Sequence, residues 1–428
     1  MDINEAFQHK VCINLARRSD RWESMQLKFD LHGIRDVRRL PAIDGNSIEV
    51  PSGWPNTRGA YGCLLSHVQA VRDARDRGLP NLLIFEDDVV FDPQLQQRFQ
   101  SGFADVPSDW QVLYFGVLHM EDPVKISPNI HRVRKAYSTY AYALNRPVFE
   151  TFIELNSKAT SAVDANALEL QRNVPCYCFA PHLAWVEHDY SDAQEQERHH
   201  WYLKESLVIR GGSMDQLLNK TSVIIAHCDP AHIEGTARNL RFLTRFYSER
   251  LRGINVTVVE QRGANASAPL DLPKGCRHIV LKHHHRPDKA LCFNAGIELS
   301  PADHSHFIFS DSRTFLEEWD VCGNLRMCDQ YHCTTGFKNL IGLSETGTRR
   351  LISDRLVLMR WFNSRDYVAK NKNSPFDNYC LFTRDAITSA GGWDERSYDN
   401  GEHILSPRSS RELRIFEAPN DALLLHSD

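Results

Sequence analysis

The stretch LLIFEDDVVF, Leu82–Phe91, decides the fold of the first half of the chain. Apolar residues typical of a buried strand surround three adjacent carboxylates, Glu86, Asp87 and Asp88. Like charges at this spacing repel, and each loses hydration when the segment is covered, so a positive partner is expected beside them. Glu86 and Asp88 occupy alternate positions, which predicts that they share one side of the strand end.

The composition is that of a globular protein with enough material for two or three cores. Of the 428 residues, 42% are hydrophobic and 25% are charged, and a net charge of -5 argues against a nucleic-acid partner. The chain shows no signal-peptide pattern and no apolar run of membrane-spanning length, so neither secretion nor a membrane anchor is expected. Eleven cysteines without paired CxxC motifs predict reduced thiols in a cytoplasmic protein, and a structural zinc site is not favoured.

Strands alternate with helices along both halves, which predicts an α/β fold class with two tandem Rossmann-like domains, residues 1–212 and 213–428. The segment 197–210 is predicted to be helical before the break at Gly211. In both halves acidic residues follow an apolar strand, the position where ligands collect in open α/β sheets. Carboxylates there can hold a divalent ion, which can hold a diphosphate, although a solvated turn is the alternative.

Seven blocks in the first half carry a family resemblance. They are INLARRSDR from Ile13, RLPAIDG from Arg39, GAYGCLLSHVQAV from Gly59, LLIFEDDVVF, TYAYALNRPVFETF from Thr139, AVDANAL from Ala162 and DYSDAQ from Asp189. In this order they resemble glycosyltransferase family 25, which includes lipopolysaccharide and procollagen galactosyltransferases. The resemblance implies a GT-A fold that binds a nucleotide sugar through its diphosphate and a divalent cation, with the acidic triplet as the DxD-type motif.

The resemblance also implies a set of site residues. Glu86 and Asp88 are expected to hold Mn²⁺ or Mg²⁺, which stabilises the negative charge that grows on the departing diphosphate. His188 is a candidate additional ligand, and its alternative is a structural histidine. The arginines that follow the first strand either contact phosphates or form a solvated basic turn. The SH element, Ser66 and His67, and the IDG turn at Asp44 either contact the nucleotide or only support its pocket. The residues expected at the donor are Arg17, Arg18, Arg21, Asp44, Ser66, His67 and Asp87.

Asp164 is the candidate general base. If the anomeric carbon is inverted, as the family's β-products imply, a carboxylate must accept the proton of the attacking hydroxyl. The VD block that contains Asp164 occupies the acceptor side in the family. The alternative is that Asp164 is an N-cap, since SAVDANALEL is typical of a capped amphipathic helix.

The second half resembles metazoan β-1,4-galactosyltransferases, through TVVEQRG, RPDKALCFNAGIE, HFIFSDSRTFL, AGGWDE, NGEH and LLHSD. The metal motif of that family corresponds to Asp311-Ser312-Arg313 here, so an arginine replaces one carboxylate. Arg313 either neutralises a diphosphate directly or indicates that this domain has lost catalysis and serves acceptor binding or packing. His426 falls at the family's metal histidine, and Glu402 at its acceptor-side glutamate, so Glu402 is predicted to be catalytic. The run His283–His285 is interpreted as a basic rim.

The predicted function is a bifunctional glycosyltransferase that adds sugars to a glycan such as a bacterial lipopolysaccharide or surface polysaccharide. UDP-galactose is the favoured donor for the first half, with UDP-glucose close behind. The alternative is one family 25 transferase with a noncatalytic second GT-A module, while hydrolysis fits the ordered blocks less well. The predicted partners are a nucleotide sugar and a glycan acceptor, with peripheral contact at the inner membrane face if that acceptor is membrane-linked.

Overall fold

The chain, seen in a computed structural model, forms two compact units, Met1–Gly211 and Gly212–Asp428. Each unit combines helices with sheets that contain parallel strands, which confirms the predicted α/β class. No helix of the described residues has the length and apolar character needed to cross a membrane. The structure describes residues 1–186, 189–193, 196–198, 200–228, 234–262, 270–282, 288–353, 367–372, 376, 378–395, 398–399, 402–403, 406–409 and 413–426.

The N-terminal unit contains seven α-helices and fourteen strands among its described residues. The helices are α1 (Ile3–Ala6), α2 (Ser19–Leu31), α3 (Arg58–Asp76), α4 (Leu95–Phe103), α5 (Phe149–Ser157), α6 (Val163–Asn173) and α7 (Trp201–Lys204). The strands are β1 (Lys10–Asn14), β2 (Val37–Pro41), β3 (Asn81–Glu86), β4 (Val89–Phe91), β5 (Val112–Tyr114), β6 (Leu118–His119), β7 (Val124–Lys125), β8 (Ile130–Arg132), β9 (Ala136–Tyr137), β10 (Ala141–Asn145), β11 (Cys176–Phe179), β12 (Ala184–Val186), β13 (Asp189–Ser191) and β14 (Gln196–Arg198).

The main sheet of this unit has the order β2-β1-β3-β10-β5-β11-β8-β7. Strands β2, β1 and β3 are parallel, and β10 runs antiparallel to both β3 and β5. The chain leaves β1 toward β2 on one side and returns to β3 on the other, so the order reverses between β1 and β3. Ligands collect at the carboxyl ends of strands at such a switch point.

The stretch LLIFEDDVVF is two strands rather than one. Strand β3 ends at Glu86. Asp87 and Asp88 then form a turn, and β4 pairs with β12 in a separate sheet. The alternation that predicted Glu86 and Asp88 on one side therefore does not apply, because strand geometry stops at Glu86. The three carboxylates instead have three different surroundings.

The helix predicted for residues 197–210 is also shorter than expected. Of the described residues 197–198 and 200–210, only Trp201–Lys204 is helical, and β14 precedes it. Ser206 has a φ of 54°, a left-handed value that a helix interior does not accommodate. The Ser206 hydroxyl accepts a hydrogen bond from the His182 backbone N–H at 2.7 Å, so a tertiary contact ends the local helix.

The C-terminal unit repeats the same kind of architecture. Its helices are α8 (Gly212–Asn219), α9 (Glu234–Arg250), α10 (Lys289–Leu299), α11 (Glu318–Cys328), α12 (Glu345–Ser353) and α13 (Arg384–Ser389). Its strands are β15 (Thr221–His227), β16 (Asn255–Arg262), β17 (Arg277–Lys282), β18 (His306–Asp311), β19 (Thr314–Phe315), β20 (Cys333–Thr334), β21 (Asn339–Leu343), β22 (Tyr367–Lys372), β23 (Tyr379–Thr383), β24 (Tyr398–Asp399), β25 (Glu402–His403), β26 (Ile415–Phe416) and β27 (Asp421–Leu424).

Its main sheet has the order β17-β16-β15-β18-β23-β20-β26, with β17, β16, β15 and β18 parallel and β23 antiparallel to β18. Strand β18 thus lies between the first strand of its sheet and an antiparallel strand, as β3 does in the N-terminal unit. Asp311 ends β18 as Glu86 ends β3. The two acidic motifs therefore occupy equivalent positions in the two sheets.

Candidate active site

The positive partner expected beside the acidic triplet is Arg21. Its Nη1 lies 3.0 Å from Asp87 Oδ1, and both side chains are largely shielded from solvent. Asn14, the last residue of β1, donates from Nδ2 to Asp87 Oδ2 at 2.6 Å. Burial raises the pKa of Asp87, although Arg21 and Asn14 oppose that rise. Asp87 is therefore held by the protein itself, at the switch point between β1 and β3.

Glu86 contacts a different set of residues from Asp87. Its Oε1 lies 3.4 Å from the buried His67 Nε2 and accepts a hydrogen bond from the Thr139 hydroxyl at 3.4 Å. The other ring nitrogen of His67 lies 2.9 Å from the Tyr142 hydroxyl. The ligand atoms of Cys63, His67 and Glu86 all lie within 4.8 Å of one another, close enough to surround a metal ion.

Asp88 is the carboxylate that lacks a protein partner. Its Oδ1 is shielded from solvent and has no hydrogen bond to any described residue, although the residue as a whole is half-buried. Burial, followed by the charges of Glu86 and Asp87, raises the pKa of Asp88 to about 7. An orphaned carboxylate oxygen beside two other carboxylates fits a divalent cation, since the ion would supply the missing charge and ligand contact.

Arg17 and Arg18 lie on the loop between β1 and α2 and converge on Asp192. Arg17 Nη1 lies 2.8 Å from Asp192 Oδ1, and Arg18 Nη1 lies 2.7 Å from Asp192 Oδ2. Arg17 Nε also meets Asp44 Oδ2 at 3.2 Å. Asp192 belongs to the DYSDAQ block, whose pattern gave no reason to single it out. Each of these arginines therefore has a carboxylate partner, although the Arg17 side chain remains half exposed.

Ser66 and three glycines, Gly45 in the IDG turn and Gly59 and Gly62 in α3, allow close backbone contacts around this turn and helix. Ser66 is buried, accepts from the Ile43 backbone N–H at 2.8 Å and donates to the Gly62 carbonyl at 2.7 Å. A Cβ on Gly62 would overlap the Ile43 carbonyl oxygen, and one on Gly45 would overlap a backbone carbonyl of α3. A Cβ on Gly59 would likewise overlap the Asp192 carbonyl oxygen. Glycine is needed at this contact because two backbone segments meet without room for side chains.

Asp164 lies in the first turn of α6, since the N-cap position belongs to Ala162. The N-cap alternative is therefore wrong, although Asp164 Oδ1 does accept a hydrogen bond from the Ala165 backbone N–H at 2.8 Å. Burial raises the pKa of the Cys63 thiol, and the charges of Glu86, Asp164, Asp88 and Asp87 raise it further, in that order. The candidate base therefore shares the electrostatic surroundings of the acidic turn.

In the C-terminal unit, Asp311 is already engaged. Its Oδ1 accepts from the backbone N–H groups of Arg313 and Thr314 at 3.0 and 2.8 Å, and its Oδ2 lies 3.5 Å from Lys289 Nζ. Burial raises the pKa of Asp311, but Lys289, Arg313 and the backbone N–H bonds outweigh it, so the pKa is lowered overall. A lysine ammonium thus occupies the surroundings in which a metal ion was expected.

The remaining predicted residues of this unit are placed as follows. Strand β19 pairs with β27, and the Leu425 N–H donates to the Arg313 carbonyl, which brings the chain segment of His426 beside the Asp311 motif. The Arg313 side chain is exposed. Asp311 and His426 belong to no group of three metal-ligating side chains within the described part of the chain. Glu402 begins β25, which pairs with β24.

Some predictions fall on residues that the structure does not describe. His188 lies outside the described residues, as does the run His283–His285, and the Glu402 side chain is likewise not described. Sequence reasoning also missed partners that the structure supplies, namely Asn14, Cys63, Thr139, Asp192 and Lys289. All five fall within blocks quoted above, but their residue types alone gave no signal of a role.

Comparison with known proteins finds similarity in the first of the two units. Residues 7–166 match the family described as glycosyltransferase family 25 (LPS biosynthesis protein). "Procollagen galactosyltransferase 2" of Mus musculus is 31% identical over 164 residues, which cover 32% of this chain and 26% of the relative. "Procollagen galactosyltransferase 1" of Danio rerio is 32% identical over 164 residues, which cover 32% of this chain and 27% of the relative. "Inactive glycosyltransferase 25 family member 3" of Homo sapiens is 31% identical over 165 residues, with 32% and 27% covered. The chain thus spans about a quarter of the length of these relatives.

Proposed function

We propose that the N-terminal unit, in which residues 7–166 form a glycosyltransferase family 25 domain, transfers galactose from UDP-galactose to a hydroxyl group of a glycan. The observation that carries this proposal is Asp88 Oδ1, a buried carboxylate oxygen with no described partner at the switch point of an α/β sheet. The relatives that match this unit include some named as galactosyltransferases and others named as "inactive" or "probable inactive". Activity is therefore a property to be tested for this chain.

Transfer breaks the bond between the anomeric carbon and a diphosphate oxygen and forms a bond to the acceptor oxygen. Glu86 and Asp88, with His67 beside them, would hold a manganese or magnesium ion, which neutralises charge on the diphosphate when bound. Arg17 is half exposed and can exchange its contact with Asp44 for a phosphate oxygen. Asp164 would accept the proton of the attacking hydroxyl, which is the chemistry of an inverting reaction.

The decisive experiment follows UDP release by the purified full chain with a panel of UDP-sugars and Mn²⁺. The acceptors to compare are a lipopolysaccharide glycan and procollagen, because the family and relative names point to these two classes. UDP-galactose with the glycan should give the fastest release, and EDTA should abolish it.

Asp88→Asn should lower turnover by about a hundredfold or more, through lost stabilisation of the leaving group. Asp30→Asn, a substitution of the same kind at an exposed position of α2, is the matched control and should leave turnover unchanged. Full activity of Asp88→Asn in the presence of EDTA would contradict the proposed site.

For the C-terminal unit we propose a second nucleotide-sugar site that works without a metal ion. The supporting observation is the Lys289 ammonium beside Asp311, together with the exposed Arg313 that follows it. These two cations can neutralise a diphosphate directly. The full chain carrying Asp88→Asn should still bind UDP in EDTA by calorimetry, and adding Arg313→Ala should weaken that binding. An unchanged isotherm would leave a noncatalytic module as the better description of this unit.

A further inference from the structure

The N-terminal unit contains a second group of metal-ligating side chains, made of residues that the acidic turn does not use. The ligand atoms of His119, Cys178 and His182 all lie within 4.8 Å of one another. Their exposed fractions are 3%, 0% and 2%, so the group is closed to solvent. His119 ends β6, Cys178 lies in β11, and His182 follows β11 in the loop toward β12. Cys178 and His182 are four residues apart, whereas His119 comes from a distant segment, so no short CxxC-type motif could have revealed the group.

A hydrogen bond to the backbone fixes the tautomer of His182. Its Nδ1 lies 2.9 Å from the Leu203 carbonyl oxygen, which can only accept a hydrogen bond, so Nδ1 carries the proton. The other nitrogen, Nε2, then presents a lone pair. Metal-binding histidines are commonly fixed in this way, with one ring N–H donated to a backbone carbonyl.

His119 supplies a second and independent observation. Its Nδ1 is buried and has no hydrogen-bond partner among the described residues. Leaving a buried polar atom without a hydrogen bond is unfavourable, so such an atom calls for a partner.

A fourth side chain lies on the same face of the sheet. His131 of β8 is directly opposite Cys178 in the antiparallel ladder, and directly opposed side chains project to the same side. His131 is half-buried and lies outside the group of three whose ligand atoms come within 4.8 Å of one another. Neutral imidazoles with a thiolate suit zinc, which favours nitrogen and sulfur ligands.

We propose that Cys178, His119 and His182 bind a structural zinc ion. Binding replaces the thiol proton of Cys178, which is released to solvent, by a sulfur–zinc bond. The ion would tie β6 and β11 to the loop that enters β12. Since β12 pairs with β4, directly after the acidic turn, the ion would stabilise the framework behind the turn without contacting substrate.

The test is the zinc content of the full chain, expressed without a polyhistidine tag and passed through metal-free gel filtration. Mass spectrometry of the metal should find about one zinc per chain, as for a structural site. Cys178→Ser and His182→Gln should lose it. Cys176→Ser, a buried cysteine of the same strand, is the matched control and should retain it. Asp88→Asn should also retain it, which separates this site from the acidic turn.

Cobalt provides a readout that does not depend on variants that fold poorly. Wild-type protein reconstituted with Co²⁺ should show visible d–d bands and a thiolate-to-cobalt charge-transfer band. Wild-type protein that takes up neither zinc nor cobalt, or zinc that persists undiminished in folded Cys178→Ser, would overturn the proposal.

Discussion

Replacing Asp88 by asparagine should stabilise the cation-free protein while it abolishes transfer. The Asp88 carboxylate is buried beside Glu86 and Asp87, and its pKa is raised from the ordinary 3.8 to about 7. The folded state therefore binds the Asp88 proton more tightly than the unfolded state does. Stability from this group is fully present below pH 3.8 and is lost as pH rises through about 7. Asparagine carries no charge to lose, so its advantage should grow over the same interval.

The size of the effect follows from the shift. About three pKa units at about 1.4 kcal/mol each set an upper bound of about 4 kcal/mol. Since the residue is only half-buried, water screens part of the repulsion, and about 2 kcal/mol is a better expectation. In a unit of this size each kcal/mol moves the midpoint by about 2–4 °C, so the variant should melt about 4–8 °C higher at pH 8.

The assay is thermal unfolding in EDTA at pH 8 and at pH 5, with Asp30→Asn as the surface control. The gain should shrink by more than half at pH 5, where folded Asp88 is already protonated. Added Mn²⁺ should raise the midpoint of wild type but not of Asp88→Asn, because only wild type keeps the ligand. A variant that melts lower than wild type at pH 8 in EDTA would refute the reasoning, since it would show that Asp88 has a stabilising partner.

Three further substitutions test other parts of the structure. Asp164→Asn should lower the transfer rate while leaving the KM for the donor unchanged, because basicity is lost and shape is kept; a rise in KM alone would contradict the role as base. Arg21→Ala should cost about 3–5 kcal/mol in urea denaturation, because Asp87 keeps its buried charge without its cationic partner; a loss within error would show that the hydrogen bond from Asn14 suffices. Asp311→Ala should remove two hydrogen bonds to backbone N–H groups and destabilise the C-terminal unit by about 1–3 kcal/mol, with transfer by the N-terminal unit unaffected; reduced transfer in the folded variant would argue against independent sites.

Local sequence patterns predicted the strands well, because β3 and β18 are continuous apolar runs that end in acidic residues. They could not predict that the run Leu82–Phe91 divides between two sheets, since the partner of β4 is β12, far along the chain. Nor could they predict the early end of the helix at Lys204, which a tertiary hydrogen bond to Ser206 imposes. Long-range pairing of this kind overrides local propensity.

The same reasoning explains which site residues could be found from the sequence. The acidic triplet can be recognised from the sequence, because adjacent carboxylates inside an apolar run need an explanation. Which arginine would neutralise it could not be predicted, because Arg17, Arg18 and Arg21 are chemically equivalent in the sequence. The structure separates them, since Arg21 is the one placed against Asp87.

The crowded contact between the IDG turn and helix α3 bears on how natural variants of this chain should be interpreted. An alanine at Gly62 would rank as a mild allele on any chemical scale, since it adds one methyl group. That methyl would overlap the Ile43 carbonyl oxygen, and the same holds for backbone neighbours of Gly45 and Gly59. Loss-of-function alleles are therefore expected at positions that have no chemistry of their own. A deep mutational scan should find these three glycines as intolerant of substitution as Asp88.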